Sequence, residues 1–532
     1  MNQPTPAPSL WQRSTTRRVL KWLCSWRGVG TTAVVFASLV TLVALFYAVE
    51  NWRGQRAWNR CRRELEAQGE KLDFRAFIPP PVPDDQNFAA APIFAHLFDR
   101  PPPGVPEESG AQLDARLRRI RVDLQGAQGQ KAPQFALVDS GSLIDLAQWQ
   151  RFFAGNTNYP QPAAPQSAAQ DVLLALSGFD VELTELEQAA ARPKCRWPVD
   201  YTVGNPIAIR LPHLTRLRDL AQVPLLRAAA HLQTRQSAKA LGDLKLILRL
   251  ADSLEGEPFL ISFLVRRRLV GDMVAGAREG LVRHAWTDAQ LAEIERHLAG
   301  VDLLGAHQAA MRGERAMSLA CVDYVRRGSR ADKLREFFDT QGDLGEAMLA
   351  HCMPSGWYYR NQATIARLYQ QHIIPGVDPS TRQISPKLLS GADADVRGRA
   401  GGPLAQLLAI RTRFFADLLM PAIAPAALKT AQTQTWVDQA RLACALERYR
   451  LAKGQFPDTL EALLPRFVDK LPQDLVSGEP MKYRRDADGG CLLYAVGWNG
   501  KDEGGQTVRP ASRSKSPDPA QGDWVWTGPP RN

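Results

Sequence analysis

The longest run of apolar positions lies near the N-terminus and predicts a membrane-spanning helix. Residues 31–49 form a stretch of nineteen residues without a charge. Such a helix spans about 28 Å, close to the roughly 30 Å hydrocarbon core of a bilayer. Trp26 and Trp52 flank the run, where interfacial aromatic residues are typical. A cleaved signal peptide would have a shorter apolar run and small residues at its end, so a permanent anchor is favoured.

Basic residues flank the predicted span on both sides. Residues 1–30 form a basic tail with five arginine and lysine residues and no acid, and five arginines lie within residues 53–63. A short basic tail is retained in the cytoplasm, whereas long domains cross a membrane largely regardless of charge. We therefore predict a single-pass protein of the cell membrane, with a cytoplasmic N-terminus and an exported, periplasmic or extracytoplasmic body.

Beyond the span, polar and proline-rich positions predict a link to the body. Residues 50–76 are predicted as a juxtamembrane helix. Its arginines are within reach of lipid phosphates, although a solvated helix is the favoured interpretation. Residues 77–136 form a proline-rich connecting segment that begins F-I-P-P-P-V-P-D-D-Q-N-F. Clustered prolines exclude a helix and favour a stiff, extended chain.

Leucines at helical spacing predict a helical domain over residues 137–402. A helical hairpin is expected from residues 223–234 and 237–254, and Thr287 is predicted to cap a helix with Gln290 three residues later. No repeat recurs at a fixed period, so an irregular helical array is favoured over a solenoid. The glycine-rich residues 391–403 predict a loop or a domain boundary.

Residues 403–505 predict a different architecture, a long helix followed by a small α+β module. The helix is expected over 427–453, and Asp458 is expected to cap a short helix after it. Strands over 481–485 and 491–498 flank a D-A-D-G-G turn and predict an antiparallel β-hairpin. Residues 506–532 form a polar tail in which residues 524–526 predict an edge strand. The fold class is thus mainly α, with one transmembrane helix, an irregular helical array and this C-terminal module.

Net charge and cysteine content exclude several classes of function. The chain carries +11 overall, but +5 belongs to the first 30 residues, and the other 502 hold 61 basic and 55 acidic side chains. A basic stripe with interleaved aromatics is missing from the sequence of the body, so no nucleic-acid partner is expected. The seven cysteines are scattered and form no C-x-x-C pair, which argues against zinc and thioredoxin-like sites. Buried free thiols are favoured over one or two disulfides.

Residues 446–505 carry several short motifs in a recognisable order. They read L-E-R-Y-R-L-A-K-G-Q-F-P-D-T-L-E-A-L-L-P, then L-P-Q-D, then G-E-P-M-K-Y, then L-Y-A-V-G-W-N-G-K-D-E-G-G. This order resembles the C-terminal half of the major pseudopilin of type II secretion systems. The resemblance implies an exported module that is used for contacts. A pseudopilin has a processed leader with a glutamate five residues in, whereas here Val35 stands at that position, so pilin-like polymerisation is not expected.

Two further implications come from resemblance. Pseudopilins of this type bind calcium in a loop near their C-terminus, and the matching positions are Asn499, Asp502 and Glu503. Calcium takes six to eight oxygen ligands. Lys501 opposes a cation there, and a solvated turn is the alternative. The full chain also resembles a group of bacterial single-pass membrane proteins that share N-W-R-G, P-V-P-D-D-Q-N-F and A-C-A-L-E-R-Y-R-L, which implies architecture and no activity.

No catalytic motif stands out in the sequence. It contains no H-E-x-x-H, G-x-S-x-G, G-x-G-x-x-G or complete phosphate-binding loop. We therefore predict no catalytic residues and no cofactor apart from the calcium alternative. The leading hypothesis is a non-enzymatic envelope scaffold with protein partners. An accessory component of a secretion or pilus-like apparatus is the first alternative, and an envelope hydrolase whose site is assembled from distant residues is the second.

Overall fold

The computed structural model describes residues 24–95, 97–98, 131–135, 141–164, 166–328, 352–397, 410–420, 423–486, 489–509 and 517–526, with isolated positions elsewhere. Most of the basic tail, residues 99–123 of the connecting segment, residues 398–403 of the glycine-rich stretch and much of the C-terminal tail lie outside the described residues. The described fold is mainly helical with a small antiparallel sheet, which confirms the predicted class.

The anchor region is one continuous helix, α1, from Trp26 to Ala67. Ser25 begins it, because its hydroxyl accepts a hydrogen bond of 3.1 Å from the Gly28 amide. The most apolar window of α1 has none of its residues buried within the protein. The helix is long and apolar enough to cross a membrane and continues as the predicted polar helix up to Ala67, nine residues short of the predicted end at residue 76. A second stretch, Phe414–Lys453, is of similar length but less apolar, with a mean hydropathy of 1.3 against 2.3 in the most apolar window, and half of that window is buried.

The helical body and its sheets follow α1 along the chain. Its helices are α2 (Leu146–Phe153), α3 (Ala168–Leu176), α4 (Asp180–Ala190), α5 (His213–Gln233), α6 (Ser237–Asp252), α7 (Leu260–Val282), α8 (Asp288–Ala299), α9 (Leu303–Arg326), α10 (Ser355–Leu368), α11 (Pro386–Arg397), α12 (Phe414–Leu419) and α13 (Ile423–Lys453). A π-helical turn, Tyr369–Ile373, extends α10. The strands are β1 (Val377–Asp378), β2 (Gln383–Ile384), β3 (Lys482–Arg485), β4 (Cys491–Ala495) and β5 (Trp524–Trp526).

Helix α13 forms the centre of the body and packs against α7, α8, α9 and α11. It begins four residues before the predicted start and is buried on nearly every side. Because burial leaves no water for its polar side chains, they bind neighbouring elements. Gln434 accepts a hydrogen bond of 2.8 Å from the Leu303 amide, and Asp438 pairs with Arg382 at 2.7 Å. These contacts fix α9 and the β1–β2 hairpin on the central helix.

The predicted local signals of the helical domain are largely confirmed. Helices α5 and α6 form the hairpin, and Thr287 and Gln290 form a reciprocal capping box at the start of α8. The predicted glycine-rich loop is wrong for its first seven residues, because 391–397 are the end of α11. Leu389 explains the difference: its side chain is fully buried, and α11 packs against α13.

The C-terminal module is a three-stranded antiparallel sheet in the order β3-β4-β5. Tyr483 pairs with Leu493, and Val525 pairs with Tyr494, so the predicted hairpin and edge strand are both confirmed. The sheet is tied to α13 by Gln439, whose amide donates to the Trp524 carbonyl at 2.6 Å. The predicted Asp458 cap is wrong, because Thr459 occupies the capping position without a side-chain bond and Asp458 pairs with Arg485 at 3.0 Å.

Candidate functional site

The anchor helix joins the body along α10, in the most extensive helix–helix contact of the described fold. Gly54 of α1 faces Gly356 of α10, and a Cβ built on Gly54 would lie 2.0 Å from the Gly356 carbonyl oxygen. The two backbones therefore approach to a distance that only glycine permits. The Asn51 side chain accepts a hydrogen bond of 2.8 Å from the Gly356 amide, which satisfies a free N–H at the start of α10.

Glu50 is the first charged residue after the apolar run, and it is buried at this joint with 5% exposure. Its carboxylate accepts two hydrogen bonds of 2.8 Å from Arg411 and one of 3.0 Å from the Trp357 indole. Arg53 and Arg360 approach the same carboxylate to 4.0 and 3.9 Å. Three guanidinium groups therefore surround one carboxylate where the chain leaves the predicted span. We call these four charged residues the exit cluster.

A groove of about 880 Å³ runs beside α1, beyond the exit cluster. Six basic and four acidic side chains line it, together with the aromatic rings of Trp58, Tyr324 and Tyr359. The guanidinium of Arg326 lies over the Tyr359 ring at 4.7 Å. The groove is therefore polar, basic on balance and rich in aromatic and arginine side chains, the residue types that dominate binding energy at protein interfaces.

The acids of this groove are held by arginines. Asp323 pairs with Arg326 at 2.6 Å and with a second arginine at 2.7 Å. Glu70 pairs with the fully buried Arg315 at 2.6 Å and with Arg312 at 3.2 Å. Burial alone would raise the pKa of Glu70, but the bonds and charges of these two arginines outweigh it and hold the pKa below its usual value. Glu70 therefore stays ionised and is a poor candidate for proton transfer.

A second cavity, of about 590 Å³, lies between the proline-rich segment and the end of α6. Pro79, Pro80 and Pro193 form part of its wall. Its charged and titratable lining residues are Lys194, Cys195, Arg249, Asp252, Glu255, Arg266 and His297. The buried Arg266 approaches Asp252 and Glu255 at 3.7 and 3.5 Å. This cavity is the described site that comes closest to a catalytic cleft.

The chemistry of the proline-lined cavity is limited. Burial raises the pKa of the Cys195 thiol to about 12, so no thiolate nucleophile is available there near neutral pH. Burial also raises the pKa of Asp252, against the opposing charge of Arg266. His297 pairs with Glu293 at 3.7 Å on the helix surface. None of the seven cysteines forms a disulfide, and three of them are buried.

The predicted calcium loop is partly assembled. Asn499 donates a hydrogen bond of 2.8 Å to Glu503, so these two residues lie together. Asp502 instead accepts hydrogen bonds from the Tyr494 hydroxyl at 3.1 Å and from the Gly504 amide at 2.9 Å. The loop therefore brings two of the three predicted residues together and turns the third toward strand β4.

Asp523 joins this loop and was not among the predicted residues. It is 2% exposed, and its Oδ2 accepts hydrogen bonds from the Glu503 amide at 3.1 Å and the Gly505 amide at 2.7 Å. Within the described residues, Asp523 Oδ1 and Glu503 Oε2 are buried without a hydrogen-bond partner. Burial raises the pKa of Asp523, and the nearby Glu503 carboxyl adds to the increase. Two such oxygens fit a hard cation or a shared proton.

A complete metal site is not formed by acidic, histidine and cysteine side chains alone. The described part of the chain contains no group of three or more such residues that could hold a metal ion. Calcium at the C-terminal loop would be held by Glu503 and Asp523, with its other oxygen ligands from the backbone or water. The ion would neutralise the two facing carboxyl groups and join the loop to the start of β5.

Two signals in the sequence point to the residues that were missed. Glu50 is the first acid after nineteen uncharged residues, and Asp523 directly precedes a strand of alternating tryptophans. Glu50 follows the predicted span and Asp523 precedes a strand, but the sequence does not show which residue either carboxylate contacts. No known protein family, curated protein or solved structure significantly matches this chain.

Proposed function

We propose that this protein is a non-enzymatic envelope scaffold, tethered to the cell membrane by α1 with its body exported, that binds other proteins. The joint between Gly54 and Gly356 supports this proposal most directly. A body that is docked on its own anchor holds its binding surfaces at a fixed height and angle above the bilayer. A fixed orientation of this kind is what a scaffold requires to present its binding surfaces to partners.

The groove beside α1 is the proposed docking surface. Its lining has a net charge of +2 and three exposed or half-buried aromatic rings. An acidic, extended segment of another envelope protein fits this combination, because its carboxylates would meet arginines and its apolar side chains would meet the rings. The groove residues of α1 lie about one and a half to four and a half helical turns beyond Glu50, so the partner segment would lie close to the membrane.

Site-specific photocrosslinking tests this function. A photoreactive amino acid replaces Asn59, whose side chain lines the groove, or Arg60, which is exposed beside it on the same helix and does not line it. We expect crosslinking in intact cells to a discrete partner at Asn59 and none at Arg60. The adduct should disappear when Arg326 and Arg327 are both changed to glutamate, because the acidic segment is then repelled.

Two results would contradict the proposal. Equal crosslinking at Asn59 and Arg60 would show that contacts along α1 are unspecific. An adduct at Asn59 that survives the Arg326→Glu/Arg327→Glu change would show that the partner is not recognised by its acidic charge. Circular dichroism of the purified double variant provides the folding control, since both arginines are on the surface end of α9.

A role as an accessory component of a secretion or pilus-like apparatus is the first alternative, and the C-terminal module favours it. The hairpin supports this alternative, since the resemblance implies such a module. Of the three implied calcium ligands, Asn499 and Glu503 lie together, and Asp523 takes the place of Asp502 beside Glu503. Calorimetric titration of the purified chain with calcium tests this reading. Binding that is lost in Asp523→Asn and retained in Asp502→Asn would favour the module as a calcium-stabilised contact element, whereas the absence of binding would remove its main support.

The hydrolase alternative rests on the proline-lined cavity. Asp252, Glu255 and His297 are the titratable groups at which acid–base chemistry would occur. However, Arg266 compensates both carboxylates, and the described lining contains no activated nucleophile. A screen of ester, glycoside and peptide substrates with wild type and Asp252→Asn distinguishes the readings. An activity lost in Asp252→Asn would overturn the scaffold proposal, and an activity that persists there would not belong to this cavity.

A further inference from the structure

The depth of the exit cluster follows from the length of the apolar run. Nineteen uncharged residues precede Glu50, and they span about 28 Å of helix. Glu50 therefore lies where the hydrocarbon ends and the phosphate layer begins. Trp52 is 60% exposed two residues further on, as expected for a ring at this interface. Arg53, Arg360 and Arg411 all lie within about 4 Å of Glu50, so they share its depth.

The charges of the exit cluster do not balance. Glu50 is the only carboxylate that pairs with these three arginines among the described residues, which leaves a net charge of +2. Arg411 makes both short bonds to Glu50, while Arg53 and Arg360 remain beyond hydrogen-bond distance of it. The side chain of Arg53 is 57% exposed and that of Arg360 is 22% exposed, so both are accessible from the membrane surface.

The surroundings of Arg360 lower the pKa of its guanidinium. Burial lowers the pKa of its guanidinium, and the charge of Arg411 lowers it further, while Glu50 compensates only in part. Arg360 Nε has no hydrogen-bond partner among the described residues. This Nε is buried and faces the Glu50 carboxylate at 3.9 Å, so an added anion would instead compensate the excess positive charge at the exposed part of the side chain. A phosphate matches such guanidinium donors.

We infer that the exit cluster binds the phosphate of an anionic phospholipid headgroup through Arg53 and Arg360. The ion pair of Arg411 and Glu50 forms the floor of this site. The lipid would bridge the anchor helix and α10 at the membrane surface and complete the charge balance of the joint. Of the two sources of phosphate, a lipid is favoured over a soluble anion because the cluster lies at headgroup depth. The inference does not depend on which protein the groove binds.

Native mass spectrometry of the full-length chain in detergent tests this inference. The protein is titrated with phosphatidylglycerol, phosphatidylcholine and inorganic phosphate. We expect phosphatidylglycerol to bind at least about tenfold more tightly than the other two, because each arginine near the surface favours an anionic lipid. Equal binding of the two lipids would overturn the anionic specificity. If inorganic phosphate binds as tightly as phosphatidylglycerol, the inference that the bound phosphate belongs to a lipid would be overturned.

A pair of double variants locates the site. Arg53→Gln/Arg360→Gln should weaken phosphatidylglycerol binding roughly thirtyfold, which corresponds to about 1 kcal/mol for each arginine. The control Arg60→Gln/Arg63→Gln removes two exposed arginines of the same helix about 15 Å or more further from the membrane. Binding should be unchanged in the control. Equal weakening in both variants would show a diffuse electrostatic attraction and overturn the site.

The salt dependence of the wild-type protein gives a test that needs no variant. Binding through guanidinium groups should weaken as ionic strength rises from about 0.05 to 0.5 M, because the Debye length falls from over 10 Å to about 4 Å. Affinity for phosphatidylglycerol that does not change with salt would show that acyl chains alone hold the lipid, and it would overturn the proposed phosphate contact even if Arg53→Gln/Arg360→Gln fails to fold.

Discussion

Replacement of Glu50 by glutamine should loosen the joint between the anchor and the body. The carboxylate accepts three hydrogen bonds, two of them from Arg411. Glutamine keeps one acceptor oxygen but turns an amide N–H toward a guanidinium donor, so at least one charge-assisted bond is lost, which costs about 1.5–3 kcal/mol. The arginine side chains are 22–57% exposed, so solvent screens part of their uncompensated charge. We expect a total of about 2–3 kcal/mol.

Hydrogen exchange read by mass spectrometry measures this loss locally. Peptides that cover α10 report on undocking, and a loss of about 2–3 kcal/mol should accelerate their exchange roughly 30- to 150-fold. Peptides from α6 should be unchanged. The control is Glu66→Gln on the same helix, whose exposed pair with Arg62 at 2.7 Å contributes at most about 0.5 kcal/mol. Exchange in α10 that is equally fast in Glu50→Gln and Glu66→Gln would refute the reasoning.

Three further predictions concern packing, calcium and pH. Gly356→Ala should destabilise the protein by about 1–3 kcal/mol in thermal unfolding, because its Cβ would lie 1.9 Å from the Glu50 carbonyl oxygen, whereas Gly242→Ala, with no atom within 4 Å, should be neutral or stabilising. Calcium should raise the melting temperature of wild type and leave that of Glu503→Gln unchanged; equal shifts would place the ion elsewhere. Burial holds the pKa of His307 at about 4 in the native state. The same imidazole in the unfolded chain takes up a proton below a pH of about 6.5, so acid favours unfolding. Stability should fall by about 2 kcal/mol from pH 7 to 5, and His307→Gln should flatten this dependence; an unchanged profile would contradict the assignment.

The features predicted from sequence are those that local patterns determine. The uncharged run, the capping box at Thr287 and the turn between β3 and β4 each depend on residues close together in the chain. The central helix was found for the same reason, because Gly454 ends a long stretch free of helix breakers. Such signals identify an element and the residues at which it begins and ends. The spacing of its apolar positions also indicates which face of the element packs against the core.

The joint and the site at the C-terminal loop could not be predicted, because each unites distant residues. Gly54 meets Gly356 about three hundred residues away, and Glu503 meets Asp523 only after β5 adds to the sheet. Glu314 and Arg315 are neighbours in the sequence, but adjacent helical residues point apart, so each has a different partner. Arg315 pairs with Glu70, which lies just after α1, and Glu314 accepts the Leu260 amide at 3.3 Å. The partners of Arg315 and Glu314 are therefore determined by tertiary packing and not by their positions in the sequence.

The central claim is that α1 tethers an exported body to the membrane, and topology tests it most directly. A reporter that is active only outside the cytoplasm is fused after Asn532, and the membrane fraction is washed at alkaline pH to remove peripheral proteins. We predict an active reporter that remains in the washed membranes. An inactive reporter would place the body in the cytoplasm and contradict the envelope scaffold, and release of the chain by the alkaline wash would contradict the anchor itself.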